Sequence, residues 1–256
     1  ELQVLFTAIM FYTTIPVPKS NGFTEENLNR ATRYFPLVGI LVGGSGALVF
    51  ILVNQLLGIQ PSVLCSLVIM VLLTGAFHED GLADFCDGFG GGYTRDQILA
   101  IMKDSRIGTY GAIALVLLFL SKIVLISEIR STFIPLVILT SHALSRLNPV
   151  ILIFTSRYIN QDQKSKSKPV GNKTSGRVLL IAAIFGLTPL LLLPVAGVPI
   201  LILIPALIGV QLLILLVFRY YVHKRIGGYS GDVLGALQQI SEIGFYLTFL
   251  IVIDLV

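Results

Sequence analysis

Charged residues are scarce in this chain. Asp, Glu, Lys and Arg make up 12% of its 256 residues, about half the share found in soluble globular domains. Cysteine is scarcer still, and the two present, Cys65 and Cys86, cannot form the disulfide framework of a small secreted scaffold. No basic segment precedes the apolar residues 2–15 and no small-residue cleavage site follows them, so we expect no cleavable signal peptide. The low charge content excludes an ordinary soluble domain.

Hydrophobic residues, by contrast, make up 55% of the chain and are concentrated in long runs. A run of ~20 apolar residues suffices to cross a bilayer as a helix. The runs lack the alternation of strands, and backbone groups in a bilayer must pair internally, so we expect helices. We therefore predict an all-α, polytopic integral membrane bundle of about seven transmembrane spans, in a single domain over 1–256 with an apolar N-terminal segment at 2–17. The predicted spans are 35–58, 62–77, 107–127, 132–154, 178–195, 198–218 and 243–256.

Basic residues are distributed unevenly between the predicted loops. Alternate crossings place the stretches 19–34, 78–106, 155–177 and 219–242 on one side of the membrane, and these carry 15 of the 18 lysines and arginines. Because Lys and Arg are enriched in cytoplasmic loops, we predict that all four loops face the cytoplasm. Topology thus accounts for the net charge of +4, which gives no indication of nucleic-acid binding. The pattern leaves open whether segment 2–17 crosses the membrane.

The loop 78–106 is unusually acidic for so apolar a protein. Asp80, Asp84 and Asp87 are spaced i, i+4 and i+7, which places them on one face of a helix. Three like charges on one face repel one another, and a divalent cation would remove this conflict. Mg²⁺ takes oxygen ligands, typically a few carboxylates with substrate phosphates, so we predict a Mg²⁺ site here, with Glu79 as a further candidate ligand. The alternative is a solvated loop whose aspartates cap helices.

Four glycines follow the aspartates. Gly88, Gly90, Gly91 and Gly92 would let backbone N–H groups approach a phosphate closely, although the same residues are also typical of simple turns. Carboxylates, a metal and a glycine loop together indicate phosphoryl-type chemistry on a nucleotide or a pyrophosphate.

Basic side chains near this stretch could neutralise the phosphate. Lys103 and Arg106 end the loop, and the alternative for both is snorkelling at the membrane interface. Arg146 lies within the fourth predicted span, where an ionisable residue usually faces a cavity or a partner. Its side chain could reach a bound phosphate or pair with a buried acid.

A second glycine-rich segment, Gly227 to Asp232, is predicted on the same side of the membrane. Gly228 and Gly231 could contact a phosphate, and Asp232 or the later Glu242 could approach the first acidic stretch as a further metal ligand. On spacing alone, a turn between two helices with a capping side chain is the better interpretation.

Longer motifs resemble one family. The run His78-Glu79-Asp80-Gly81-Leu82-Ala83-Asp84, continued by Asp87-Gly88 and by Ile101 to Gly108, is similar to a motif of the cobalamin synthase (adenosylcobinamide-GDP ribazoletransferase) family. Gly227 to Ala236 resembles a second motif of that family, and Thr14 to Pro18 and Phe35 to Gly39 resemble shorter N-terminal ones. The resemblance covers essentially the whole chain, in the same order.

This resemblance implies an enzyme of a late step in cobalamin assembly, with several passes through the bacterial inner membrane and with its active-site loops facing the cytoplasm. Such enzymes join adenosylcobinamide-GDP to α-ribazole or its 5′-phosphate, release GMP and require Mg²⁺. The oligomeric state is left open.

The resemblance and the metal prediction together imply roles for particular side chains. Asp80, Asp84 and Asp87 are expected to hold Mg²⁺ at the pyrophosphate, and Asp84 or Asp104 to accept the proton of the attacking hydroxyl. The leaving GMP would be neutralised by basic side chains, namely Lys103, Arg106 or Arg146.

Two other functions are alternatives. CDP-alcohol phosphotransferases also use spaced aspartates and metals, but their Asp-Gly-x-x-Ala-Arg run would continue with alanine and then arginine, whereas Asp80-Gly81-Leu82-Ala83 is followed by Asp84. A cation transporter would need carboxylates near the bilayer midplane in broken helices, whereas these lie in a predicted cytoplasmic loop. The sequence disfavours both.

Overall fold

The computed structural model describes residues 1–18, 24–159, 175–194 and 200–255. Helices joined by turns and short connections make up this part of the chain, and one isolated bridge, between Tyr158 and Tyr229, is its only pairing of extended residues. The predicted all-α class is confirmed. The helices are α1 (Leu2–Tyr12), α2 (Glu25–Ala31), α3 (Phe35–Leu57), α4 (Ile59–Thr74), α5 (Phe77–Gly91), α6 (Arg95–Ile101), α7 (Thr109–Glu128), α8 (Ile134–Ser145), α9 (Leu147–Thr155), α10 (Gly176–Leu187), α11 (Ile200–Ile226) and α12 (Gly231–Asp254).

Within the described residues, five helical segments are long and apolar enough to cross a membrane, and a sixth span results if the bent pair α4 and α5 crosses as one unit. The polytopic bundle is confirmed, with five or six spans in this part of the chain where the sequence predicted about seven. Two predicted segments form shorter apolar helices, Leu2–Tyr12 and Gly176–Leu192. The five long segments are Glu26–Leu57, Thr109–Glu128, Ile134–Thr155, Ile200–Ile226 and Gly231–Asp254.

The predicted loop 219–242 is largely helical, so its assignment as a loop is wrong. α11 continues to Ile226 and α12 begins at Gly231, which leaves only a short turn between them. The final predicted span, 243–256, is therefore the second half of one 24-residue helix. Parts of two other predicted loops lie outside the described residues, namely 19–23 and 160–174.

Close packing of α3 on α8 forms the centre of the bundle. A Cβ at Gly43 would lie 3.0 Å from the carbonyl oxygen of Ile138, and a Cβ at Gly39 would clash with the carbonyl group of His142. Small residues permit this approach, and in a bilayer the resulting van der Waals contact is a main source of helix association. Neighbouring residues of both helices, such as Val42 and Ile138, are fully buried in an apolar core.

Gly39→Ala is expected to destabilise the fold by about 1–3 kcal/mol, since the added methyl group overlaps the His142 carbonyl and lies 2.9 Å from the Cδ of Arg146. Gly44→Ala is the matched control, because its Cβ would meet only a side-chain atom of Leu139, at 3.5 Å. Thermal unfolding of both variants in detergent measures the difference. Equal midpoints would contradict the close α3–α8 contact.

A sharp bend turns the chain from α4 into α5. The two helices meet at 88°, and both linking residues have positive φ, 62° at Gly75 and 57° at Ala76. The N–H groups of these two residues donate to carbonyls of the last turn of α4, which is the usual left-handed cap of a helix C-terminus. The N-terminal segment holds the same end, since the N–H of Thr14 donates to the carbonyl of Leu73 at 2.7 Å. α5 therefore leaves the direction of α4 at nearly a right angle.

α5 packs against α12 through glycines on both helices. A Cβ at Gly81 would lie 3.0 Å from the Cα of Asp232, and a Cβ at Gly235 would lie 3.1 Å from the carbonyl oxygen of His78. Neither glycine has positive φ, so glycine is needed here for space and not for backbone conformation. This approach brings the first turn of α12 beside the acidic residues of α5.

Candidate active site

The aspartates of α5 lie on a single helix, as their spacing predicted. Asp80 is exposed and Asp84 is half-buried, and no hydrogen bond or ion pair engages either carboxylate within the described part of the chain. The charges of Asp232, Asp80 and Asp87 all act on Asp84, with no cationic side chain among them. Asp80, Asp84, Asp87 and Asp232 thus form an acidic cluster where α5 lies beside the first turn of α12.

Asp87 also has a structural role that its spacing from Asp80 and Asp84 did not indicate. Its two carboxylate oxygens accept the backbone N–H groups of Gly108, at 2.7 Å, and Gly111, at 2.9 Å. These N–H groups belong to the start of α7, so Asp87 caps that helix from α5, where a negative charge is favourable. A Cβ at either glycine would clash with the Asp87 carboxylate. Each oxygen of the carboxylate retains a further acceptor position.

The carboxylates fit Mg²⁺ in their chemistry. Among the described residues, no three His, Cys, Asp or Glu side chains are grouped closely enough to hold a metal ion by themselves. Mg²⁺ is usually bound by only one or two carboxylates together with substrate phosphates and water, so a complete protein cage is not required. Asp80 and Asp84 have no partner that would compete, and Asp232 accepts only the Ser230 hydroxyl, at 3.4 Å.

The glycines after the aspartates do not form a loop, which corrects the sequence prediction. α5 remains helical through Gly91, and the Gly92 N–H donates to the carbonyl of Gly88 at 2.9 Å. Three of these glycines instead allow close packing: a Cβ at Gly88 would clash with Met102, and Cβ atoms at Gly90 and Gly92 would lie 2.7 Å from Tyr110 and Ile98, respectively. Their N–H groups are engaged in the helix, so a backbone phosphate cradle is not formed in this structure.

An open cavity of about 510 Å³ lies at the end of α5 and brings several predicted site residues together. Asp87, Gly91, Asp104 and Arg106 line its wall, and the exposed Lys103 is adjacent in the chain. Arg106 holds Asp104 through a 2.6 Å ion pair. Hydrogen bonds from the Arg106 side chain, and then from its backbone N–H, lower the pKa of Asp104 to about 2.

Glu242 lies in the interior of the bundle. Its Oε1 is 2.9 Å from the Nζ of Lys122 and 3.2 Å from the Nε2 of His142, and it accepts the Tyr246 hydroxyl at 3.0 Å. Its other oxygen accepts the side-chain N–H of Gln238 at 2.9 Å. Glu242, which the sequence predicted as a metal ligand, thus has both carboxylate oxygens engaged in a buried ion-pair network. This network was not predicted from the sequence. Its sequence signal is Lys122, which lies within the predicted span 107–127, because a charged residue in an apolar span usually has a partner.

Two further predicted residues belong to the same interior. Glu79 is buried on α5 and accepts the side-chain N–H of Gln239 at 2.9 Å. Arg146 is 1% exposed, donates to the carbonyl of His142 at 2.8 Å and lies over the ring of Phe35 at 5.6 Å. Neither side chain faces the open cavity at the end of α5.

The second glycine segment is a turn that adjoins α5. Gly228 packs against the carbonyl of Arg157, where a Cβ would clash, whereas a Cβ at Gly231 would meet nothing within 4 Å. Two arginines connect this turn to the region after α5. Arg225 donates to the Gly92 carbonyl at 2.7 Å, and Arg95 donates to a carbonyl at the end of α11 at 3.1 Å. Asp232 therefore reaches the acidic cluster from a segment more than a hundred residues away in sequence.

These features define the class: a polytopic helical membrane protein with a carboxylate-rich polar site where two of its helices meet. The chain belongs to the cobalamin-5-phosphate synthase family, whose model matches residues 4–250. It is 44% identical to proteins named adenosylcobinamide-GDP ribazoletransferase from Shewanella sp. (strain W3-18-1) and Shewanella oneidensis, over 98% of this chain and 95% of each relative. No solved structure matches the chain significantly.

Proposed function

We propose that the protein joins adenosylcobinamide-GDP to α-ribazole or its 5′-phosphate in a Mg²⁺-dependent reaction that releases GMP. The names of its relatives and the family match over nearly the whole chain support this activity. The observation that carries the proposal is the group of carboxylates at the contact of α5 with α12, where Asp80 and Asp84 have no partner. Unpaired carboxylates of this kind are suited to a metal–pyrophosphate substrate.

In the proposed reaction, a hydroxyl oxygen of the ribazole attacks the phosphorus attached to cobinamide. A new P–O bond forms, and the P–O bond to GMP breaks, with the electron pair leaving on GMP. Mg²⁺, when bound, would neutralise the pyrophosphate charge. One or two of the carboxylates of Asp80, Asp84 and Asp232 would hold the ion together with the phosphates of the donor. Arg106 and Lys103, beside the open cavity, would attract the phosphates of the donor.

Asp84 is the better candidate for the group that accepts the hydroxyl proton. A general base is most effective when its pKa is near the working pH, and the pKa of Asp104 is held at about 2 by Arg106. Asp104 is therefore ionised but weakly basic, and its ion pair serves to orient Arg106 at the cavity.

The proposed site of action is the cytoplasmic face of a bacterial inner membrane. The concentration of 15 of 18 basic residues in four polar stretches supports this orientation. A nucleotide-linked donor and a nucleoside acceptor are water-soluble, and the acidic cluster and the open cavity would then meet them directly.

The test is GMP release by the purified protein in detergent. Adenosylcobinamide-GDP and α-ribazole 5′-phosphate are supplied together and separately, with Mg²⁺ or with EDTA. We expect GMP and a cobalamin product only when both substrates and Mg²⁺ are present. Release of CMP from a CDP-linked donor would instead support the phosphotransferase alternative, and cation flux in liposomes would support a transporter.

Asp104→Asn is expected to leave the pH dependence of this activity unchanged. The pKa of Asp104 is lowered from 3.8 to about 2, so the group stays ionised above that value. Its contribution to stability is likewise present at neutral pH and is lost only as the pH falls towards about 2. The measurement is kcat/KM of the variant and the parent protein between about pH 5 and 9. A displaced acid limb in the variant would show that Asp104 titrates in this range and would restore it as a candidate base.

A further inference from the structure

A small polar cavity lies in the interior of the bundle, separate from the open cavity at the end of α5. Its volume is about 10 Å³, which is close to the space that a single water molecule requires. Helices α3, α4, α5, α7, α8 and α12 all contribute to its wall. The polar residues of the wall include His78, Glu79, Lys122, Arg146 and Gln239.

Four of these side chains carry a buried atom without a hydrogen-bond partner. They are the Oε2 of Glu79, the Oε1 of Gln239, the Nε of Arg146 and the Nε2 of His78. Buried polar atoms are nearly always paired in native proteins, and an unpaired group indicates a missing ligand or water. The four unpaired atoms belong to residues that line the same cavity, so one shared ligand would account for all of them.

The charges around the cavity identify the kind of ligand. Of the lining residues, Lys122 and Arg146 supply two positive charges and Glu79 supplies one negative charge. The second negative charge comes from Glu242, which does not line the cavity but is paired to Lys122 at 2.9 Å. Glu79 attracts Arg146 electrostatically. Because the balance is neutral without a further ion, neither a cation nor an anion is required. A small neutral molecule that both donates and accepts hydrogen bonds fits these charges and the unpaired atoms.

We propose that this cavity is a built site for one buried water molecule, which connects Glu79 of α5 with Gln239 of α12 and with Arg146, the residue that follows α8. A water molecule offers two donors and two acceptors. It would donate to the oxygens of Glu79 and Gln239 and accept from the Nε–H of Arg146, with His78 as a fourth partner in the tautomer that carries its proton on Nε2. Buried waters typically make about three such bonds.

The site gives Glu79 a role different from metal binding. Glu79 precedes Asp80 on α5, and its carboxylate is turned into the bundle, where Gln239 already donates to it at 2.9 Å. A water-mediated hydrogen bond from Glu79 to Arg146, at the C-terminal end of α8, would add a second link between α5 and the bundle. Glu79 is then a positioning residue, which fixes the rotation of α5 and so the direction in which Asp80 and Asp84 point.

The three methionines of the chain allow a direct test by X-ray hydroxyl-radical footprinting of the wild-type protein. A radical formed from a bound water oxidises nearby side chains, and methionine yields the sulfoxide. Met70 lines the cavity and is 3% exposed, whereas Met102 is also 3% exposed but lies elsewhere, packed on Gly88. Met10 is 45% exposed and reports the radical dose.

We expect Met70 to be oxidised several-fold faster than Met102, although both are equally inaccessible to bulk water. Equal, slow oxidation of the two would show that the cavity is dry and would overturn the proposal. The measurement needs no substrate, so its outcome is independent of the proposed transferase activity.

Two variants of Glu79 sharpen the test. Glu79→Leu removes the acceptor, and we expect the rate at Met70 to fall to that of Met102. Glu79→Gln retains a hydrogen-bonding group of the same size, and we expect Met70 oxidation to persist. Rapid oxidation of Met70 in a folded Glu79→Leu protein would contradict the assignment of Glu79 to the water site. If Glu79→Leu does not fold, the comparison of Met70 with Met102 in the wild type still decides the proposal.

Discussion

Asp84→Asn is expected to lower the rate of GMP release by about 10²- to 10⁴-fold, which is the usual contribution of a positioned general base. Asparagine is nearly isosteric with aspartate, but it neither accepts the hydroxyl proton nor supplies a charged oxygen for Mg²⁺. The charges of three neighbouring carboxylates meet at Asp84, so removing its charge also reduces the repulsion within the cluster. The variant is therefore expected to fold as well as the parent protein, and the measurement is kcat at saturating Mg²⁺ with a thermal unfolding curve.

Asp96→Asn is the control for this prediction. Asp96 lies in the first turn of α6, and its side chain is 92% exposed beside Arg95. An exposed pair of this kind contributes little to stability, and the residue does not line the open cavity. Loss of activity in both variants would indicate a general effect of charge. Full activity in Asp84→Asn would refute the catalytic assignment.

Lys122→Met is expected to have the largest effect on stability. The side chains of Lys122 and Glu242 are 3% and 0% exposed, and their charged atoms are 2.9 Å apart. Removing one partner of a buried ion pair leaves an uncompensated charge, which costs about 3–5 kcal/mol. The measurement is the unfolding midpoint of the variant and the parent protein in detergent at neutral pH.

The double variant Lys122→Met/Glu242→Gln distinguishes the contribution of the ion pair to stability from that of the other contacts of Glu242. With both charges removed, we expect much of the lost stability to return, because neither residue is left as an isolated buried charge. A double variant no more stable than Lys122→Met alone would mean that Glu242 is held mainly by His142, Tyr246 and Gln238. A Lys122→Met protein with normal stability but weaker dependence on Mg²⁺ would instead favour the predicted metal role of Glu242.

The parts of the fold that depend on local patterns could be predicted from the sequence. Long apolar runs predicted the helical spans, and the spacing of Asp80, Asp84 and Asp87 predicted that the acidic stretch is helical. Both are properties of single segments, in which hydropathy or a 3.6-residue period is sufficient. The family motif pointed to the same acidic stretch as the candidate site, and in the structure Asp232 lies beside that stretch, against Gly81.

The parts that depend on contacts between distant segments could not be predicted. Nothing in the local sequence distinguishes Glu79, which faces the interior, from Asp80, which faces outward. The packing of α5 against α12 determines which face of α5 is buried. Similarly, Asp87 belongs to the predicted acidic face, yet it caps α7 through glycines more than twenty residues away. The glycines from Gly88 to Gly92 suggested a loop because glycine is a weak helix former; in the structure, packing against α6 and Tyr110 favours a helix.

The right-angle turn after α4 sets the direction of α5 and so the relative positions of its carboxylates along the membrane normal. A straight helix from Ile59 to Gly91 would be about 50 Å long, well beyond the ~30 Å hydrocarbon layer, and it would separate Asp80 from Asp87 by about 10 Å in depth. With α5 at 88° to α4, an α4 that lies along the bilayer normal would place the axis of α5 parallel to the bilayer surface. The carboxylates then share one level, and a donor too bulky to enter the bundle can meet all of them by approaching along that surface.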